Sequence, residues 1–193
     1  MQKAPLSLFV IVLAACQQAP EQQEAATPAP AGPAPGTPEW KIESALGAAP
    51  AAISANAAVM DWPAAEGGSM AELRPGTNGW TCMPDVPSSP GTDPMCLDSV
   101  ALQWAAAWQA HTTPTIAAVG FAYMLQGGSD ASNTDPFATG PQPGEQWVET
   151  GPHVMLFLPD PKALASVSTD YRAGGPYIMW QGTPYAHVML PVR

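Results

Sequence analysis

Residues 17–38, QQAPEQQEAATPAPAGPAPGTP, set the outer limit on what this chain can fold into. Six of these 22 residues are proline, Glu21 and Glu24 are the only charges, and no apolar residue recurs at a helical or strand period. Proline removes backbone donors. A segment with so little apolar surface cannot offset its own ordering entropy. The stretch reads as a disordered tether, able to reach roughly 60 Å at ~3 Å per residue in polyproline-like form. Folding is therefore confined to residues 39–193, the size of one ordinary domain. Tryptophans at 40, 62, 80, 104, 108, 147 and 180 give that domain ample apolar bulk.

Upstream of the tether, MQKAPLSLFVIVLAAC has one positive residue, Lys3, an apolar run over residues 6–13, and small residues before Cys16. The pattern is that of a secretory signal, too short to span a bilayer as a helix. The ending Leu13-Ala14-Ala15-Cys16 resembles the lipobox of bacterial lipoproteins. That resemblance covers sixteen residues. It implies removal of residues 1–15, diacylation of Cys16, and residues 16–38 as a lipidated tether. The partner would then be a membrane, reached through the acyl chains and not by spanning. Gln17 follows the cysteine where lipoproteins retained in the inner membrane often carry Asp, which implies the outer membrane and its periplasmic side. The remainder, with phrases such as LRPGTNGWTCMPD and MWQGTPYAHVMLP, looks like a bacterial envelope domain.

Beyond the leader, five basic residues stand against sixteen acidic ones, a formal balance of −11, and there is no basic run. Nucleic acid is excluded as a partner, because phosphate neutralisation requires clustered Lys and Arg. The acidic balance favours attraction of cations. Apart from Cys16, the chain has Cys82 and Cys96. In an exported protein such a pair predicts a disulfide; free thiols and a metal site are the rival readings.

The pattern predicts an α+β fold: a mostly antiparallel sheet of about five to seven strands with one main helix over residues 98–111 and one disulfide. Asp98 is a good cap, and Val100, Ala101, Trp104 and Trp108 share a helical face. His111 falls in the last turn, where the helix dipole favours an imidazolium. Thr37-Pro38 opens a shorter helix that ends near Gly47. Residues 57–62 and 70–74 read as a hairpin, with 80–83 returning as a third strand after the Asn78-Gly79 turn. Residues 84–95 are turn chemistry throughout. The apolar run 116–125 reads as a buried central strand. Strands at 146–149 and 153–158, a short helix from Pro161, and a closing hairpin over 177–190 complete the domain.

Two of the three histidines open the same tetrapeptide, HVML, at residues 153–156 and 187–190. Alternation in a strand puts His153 and Met155 on one face, with His187 and Met189 repeating the arrangement. Should the two strands adjoin with matching faces, imidazoles and thioethers converge. Such donors suit copper, above all Cu(I), and Met83, Met95, Met124 and Met179 offer further sulfur. Zinc would need carboxylates to complete its shell. The alternative is two core strands in which Met fills gaps.

The loop over residues 127–141 carries the other candidates, Ser129, Asp130, Asn133 and Asp135. Gly127-Gly128-Ser129-Asp130-Ala131 nearly matches the G-x-S-x-G nucleophile elbow, but that motif must lead into a helix, and Asp135-Pro136 and Gly140-Pro141 forbid one. The acids and amides lack the spacing of an EF-hand and suit turns that bond their own backbone. Trp80 and Trp180 are candidates for a stacking cleft, with Tyr185 beside them. Three functions follow: a module binding a small ligand or a metal ion around His153, His187, Tyr185, Trp180 and the 127–141 loop; a periplasmic or extracellular hydrolase with a histidine general base; or a structural component of the envelope.

Overall fold

Short capped segments and period-two strands build the domain as its sequence pattern requires. The computed structural model describes residues 32–65, 68–86 and 88–192. The leader, Cys16 and the tether to residue 31 lie outside the described residues. Helix α1 (Pro38–Leu46) starts where Thr37 accepts a hydrogen bond from the Trp40 N–H and proline occupies the first turn. A short helix α2 (Ala51–Ser54) follows, unanticipated in a run of alanines. Helix α3 (Ser99–Gln109) is capped by Asp98, which accepts from the Ala101 N–H. His111 lies just past its end, at a φ of 54°. Among the described residues no helix is long and apolar enough to cross a membrane.

The main sheet has eight strands rather than five to seven: β1 (Ala58–Asp61), β2 (Ala71–Arg74), β3 (Thr81–Met83), β4 (Met95–Leu97), β5 (Gly120–Met124), β8 (His153–Phe157), β9 (Tyr177–Met179) and β10 (His187–Pro191). Their order is β2-β1-β3-β4-β5-β8-β10-β9. All neighbours are antiparallel except β1 and β3, which run parallel. The count rose because several strands have only three residues, too few to show alternation. For the same reason β6 (Gly128–Asp130) cuts unforeseen into the loop expected over 127–141; it pairs with β7 (Val148–Thr150), which overlaps the strand expected at 146–149, in a separate two-stranded sheet.

Both sheet faces are covered. On one, Ala45 of α1, Ala48 of the turn after it and Ile53 of α2 pack against Val59, Cys82 and Cys96. The disulfide joins Cys82 to Cys96, which oppose each other on β3 and β4. On the other face α3 lays Ala101, Trp104 and Ala105 over Leu97, Ala122, Met155, Phe157 and Met189. Gly120 permits that approach, since a Cβ there would lie 2.7 Å from the Ala101 nitrogen. The run 116–125 is less buried than its composition suggests: Val119 and Phe121 are each 41% exposed, and β5 turns Gly120, Ala122 and Met124 inward.

Candidate functional site

Register decides whether the twin tetrapeptides share a face. Strands β8 and β10 are adjacent, with Met155 opposite Met189 and His153 opposite Pro191. Residues directly opposed in an antiparallel pair point to the same side. Hence His153, Met155, Phe157, His187 and Met189 all stand on the α3 face. Met124 on β5 opposes His153, and Met179 on β9 opposes His187. Together they floor a cavity of about 360 Å³. Trp104, Ala105 and Trp108 of α3 roof it, and Trp62, Trp180 and Met95 add to its wall. Its volume sits at the lower end of the range for small-molecule sites. Half-buried Trp62, Val86 and Ser89 and exposed Gln109 bring the lining to the protein surface.

The two ends of the cavity differ in chemistry. At one, His187 is boxed by aromatic rings, with Trp180 at 5.1 Å, Phe157 at 5.2 Å and Trp104 at 5.3 Å between centroids. The other end is polar, formed by Asp93, Ser129, Asp130, Thr150 and His153. Strand β6 is tied there to the loop before β4. The Ser129 N–H donates to Asp93 Oδ1 at 2.7 Å, its hydroxyl donates to the same carboxylate at 3.2 Å, and the Gly91 N–H donates to Ser129 Oγ at 3.1 Å.

Both histidines are anchored alike. Each bonds through Nδ1 to the carbonyl two residues before it, Gly151 for His153 at 2.8 Å and Tyr185 for His187 at 3.0 Å. A carbonyl only accepts, so Nδ1 carries the proton and Nε2 keeps its lone pair. His153 Nε2 is buried and has no partner among the described residues. Burial holds His153 below the usual imidazole range, against the opposing effects of the Gly151 bond and the Asp93 charge. Burial also pushes His187 down to about 4; its bond to Tyr185 opposes the shift and the charge on His153 assists it. Asp130 moves the other way, up to about 7, through burial and then the negative charge of Asp93.

These shifts carry a stability signature. Between about pH 4 and 6.5 the unfolded chain protonates His187 and the folded chain does not, so the contribution of His187 is complete above that window and is lost as pH falls through it. Replacing His187 by phenylalanine, which suits its aromatic box, is expected to reduce the rise of stability with pH by about 1.4 kcal/mol per unit within the window. Urea unfolding at several pH values measures this. An unchanged slope would mean that the imidazole is not held neutral.

Trp180 has a φ of 56°, a strained conformation for a bulky residue. Its surroundings fix it there. The Trp180 N–H donates to the Asn133 carbonyl at 2.8 Å, its Nε1 donates to the Ser132 carbonyl at 2.9 Å, and its own carbonyl accepts from the Thr183 hydroxyl at 2.8 Å. The indole N–H groups of Trp62 and Trp108 are likewise committed, to the carbonyls of Pro84 and Pro136.

Of the residues singled out in the sequence, Ser129, Asp130, His153, Met155, Trp180, His187 and Met189 line the cavity. Others do not. Asn133 binds the Thr169 carbonyl at a different depression, and Asp135 accepts from the Phe137 N–H in an exposed turn. Tyr185 packs behind Trp104 and donates its hydroxyl to the Thr112 carbonyl. Trp80 lies against Tyr123 beside the cluster on the opposite face, so it forms no cleft with Trp180. Met95, Met124 and Met179 join the lining, whereas Met83 is core. Asp93 and Thr150 were missed. Asp93-Pro94 reads locally as a turn, and only the tertiary fold buries that carboxylate to 5% exposure.

The quartet His153, Met155, His187 and Met189 does not gather around a single ion. His187 lies four residues from the position opposite His153, about 13 Å along the strands at the usual rise, whereas a metal needs each nitrogen within about 2 Å. Among the described residues no group of three or more His, Cys, Asp or Glu side chains is arranged to hold a metal ion. The serine-nucleophile arrangement is not formed either: Ser129 donates to Asp93, and His153 Nε2 bonds nothing. No family model matches the chain, and no curated protein or solved structure shows significant similarity to it.

Proposed function

We propose that this chain is an envelope lipoprotein, acylated on Cys16, whose domain binds a small and largely apolar molecule between α3 and the sheet. The leader sequence supports the anchor. The observation that carries the binding reading is the convergence of both histidines, five methionines and four tryptophans on one cavity. Methionine-lined surfaces adapt to varied ligand shapes, while indoles supply large contact areas. Binding accounts for these features better than hydrolysis, since among the described residues Ser129 is bonded to Asp93 and not to a histidine that could activate it. It also accounts for them better than a purely structural role, in which a cavity this size would cost stability without compensation.

Ala105 is a roof residue on a helix and faces the cavity. Ala105→Leu fills part of the space with a good helix former. The variant is expected to keep or raise the melting temperature while weakening uptake of N-phenyl-1-naphthylamine by about tenfold or more, read as energy transfer from tryptophan. Unchanged uptake, or none by the wild-type protein, would count against the cavity as the site.

A further inference from the structure

The side chains at the polar end of the cavity are rich in acceptors; the buried Tyr177 hydroxyl, near enough to feel the Asp130 charge, also lacks a partner among the described residues. His153 Nε2 carries a lone pair, is 2% exposed as a residue, and has no partner. The Asp93 carboxylate is buried. The Thr150 hydroxyl gives its proton to the Gly128 carbonyl at 3.2 Å, and the Ser129 hydroxyl gives its own to Asp93. Among the described residues no cationic side chain answers Asp93, and the one ion pair is Lys41 with Asp61, elsewhere. A buried carboxylate without a counter-charge is costly, and a buried acceptor without a partner adds to that cost.

We infer that the cavity takes a small organic cation: an apolar body carrying an ammonium group, whose N–H donors meet His153 Nε2 and the Asp93 and Asp130 carboxyls. The inference rests on the binding reading above and gives the ligand its charge. The apolar body lies among the methionines and tryptophans, and indole is the best aromatic partner for a cation. Asp130 holds a proton to about pH 7, which relieves its repulsion with Asp93; an ammonium would take that role. The acidic balance of the domain draws such ligands from solution. A bare metal ion fits less well, since it would leave most of the cavity unfilled and, among the described residues, finds no group of three or more His, Cys, Asp or Glu side chains.

The test compares phenethylammonium with phenethyl alcohol, its neutral counterpart, by calorimetric titration of the full chain at neutral pH. The ammonium is expected to bind at least about tenfold tighter. Asp93→Asn keeps the shape and the acceptor for the Ser129 N–H, and it should remove most of the ammonium's advantage over the alcohol. Asp130→Asn provides the same comparison should Asp93→Asn fail to fold. Equal affinities in the wild-type protein would overturn the charge assignment and leave the cavity reading standing. Failure of both compounds and of N-phenyl-1-naphthylamine would overturn both. Stoichiometric uptake of Ag(I), a redox-stable stand-in for Cu(I), with no ammonium binding would assign the site to a soft metal and overturn the inference.

Discussion

Trp104→Ala is expected to lower stability by about 4 kcal/mol and to abolish uptake of small molecules together with it. Trp104 is 6% exposed and is the centre of the roof. Its ring lies 4.4 Å from Phe157, 5.3 Å from His187 and 6.2 Å from both Trp180 and Tyr185. Removing it deletes the largest single contact between α3 and the sheet and merges its volume with the existing cavity, which water can then enter. Trp104→Phe retains much of that contact and should recover more than half of the loss. Chemical unfolding with a linear extrapolation gives the difference. A loss below about 1 kcal/mol, the scale of an ordinary surface change, would mean that the roof is not packed as described.

Reduction of the Cys82–Cys96 bond is the second large effect, with an expected loss of about 3 kcal/mol for a loop of this length. The two cysteines are 14 positions apart, fully buried, and directly opposed on adjacent strands. The loop they close carries Asp93, so the bond also limits the freedom of the polar end of the cavity. Denaturant midpoints with and without a thiol reductant measure the effect. The Cys82→Ala/Cys96→Ala double variant should be less stable than the oxidised protein and insensitive to reductant. A wild-type midpoint that does not move on complete reduction would contradict the account.

The legible parts of this fold are those whose signal is local. Thr37-Pro38 and Asp98 mark helix starts because capping is decided within four residues. Cys82 and Cys96 pair as the reading of the sequence expected. Alternation fixes which residues share a face within β8 or β10, but not whether the two strands agree. That depends on register, and one step of slippage would have turned His187 away. The parallel pairing of β1 with β3 and the three-residue strand β6 have no local signature. Phe121 and Val119 were misjudged because an unbroken apolar run hides which side faces water. The candidate site divides in the same way. Its histidines, methionines and Trp180 are visible as residue types at spacings, whereas Asp93, Thr150 and Trp62 come from loops and strand ends that only the folded chain brings together.

The central claim is that His153 and His187 face one ligand-binding cavity. Its most direct test follows the imidazole ring-nitrogen resonances of all three histidines while the full chain is titrated with phenethylammonium and, separately, with N-phenyl-1-naphthylamine. His153 and His187 should shift along a single binding curve for at least one of them. His111, exposed and stacked on Phe137 at 4.1 Å, should stay where it is. Saturable binding that leaves the resonances of His153 and His187 unmoved would place the ligand elsewhere and contradict the account.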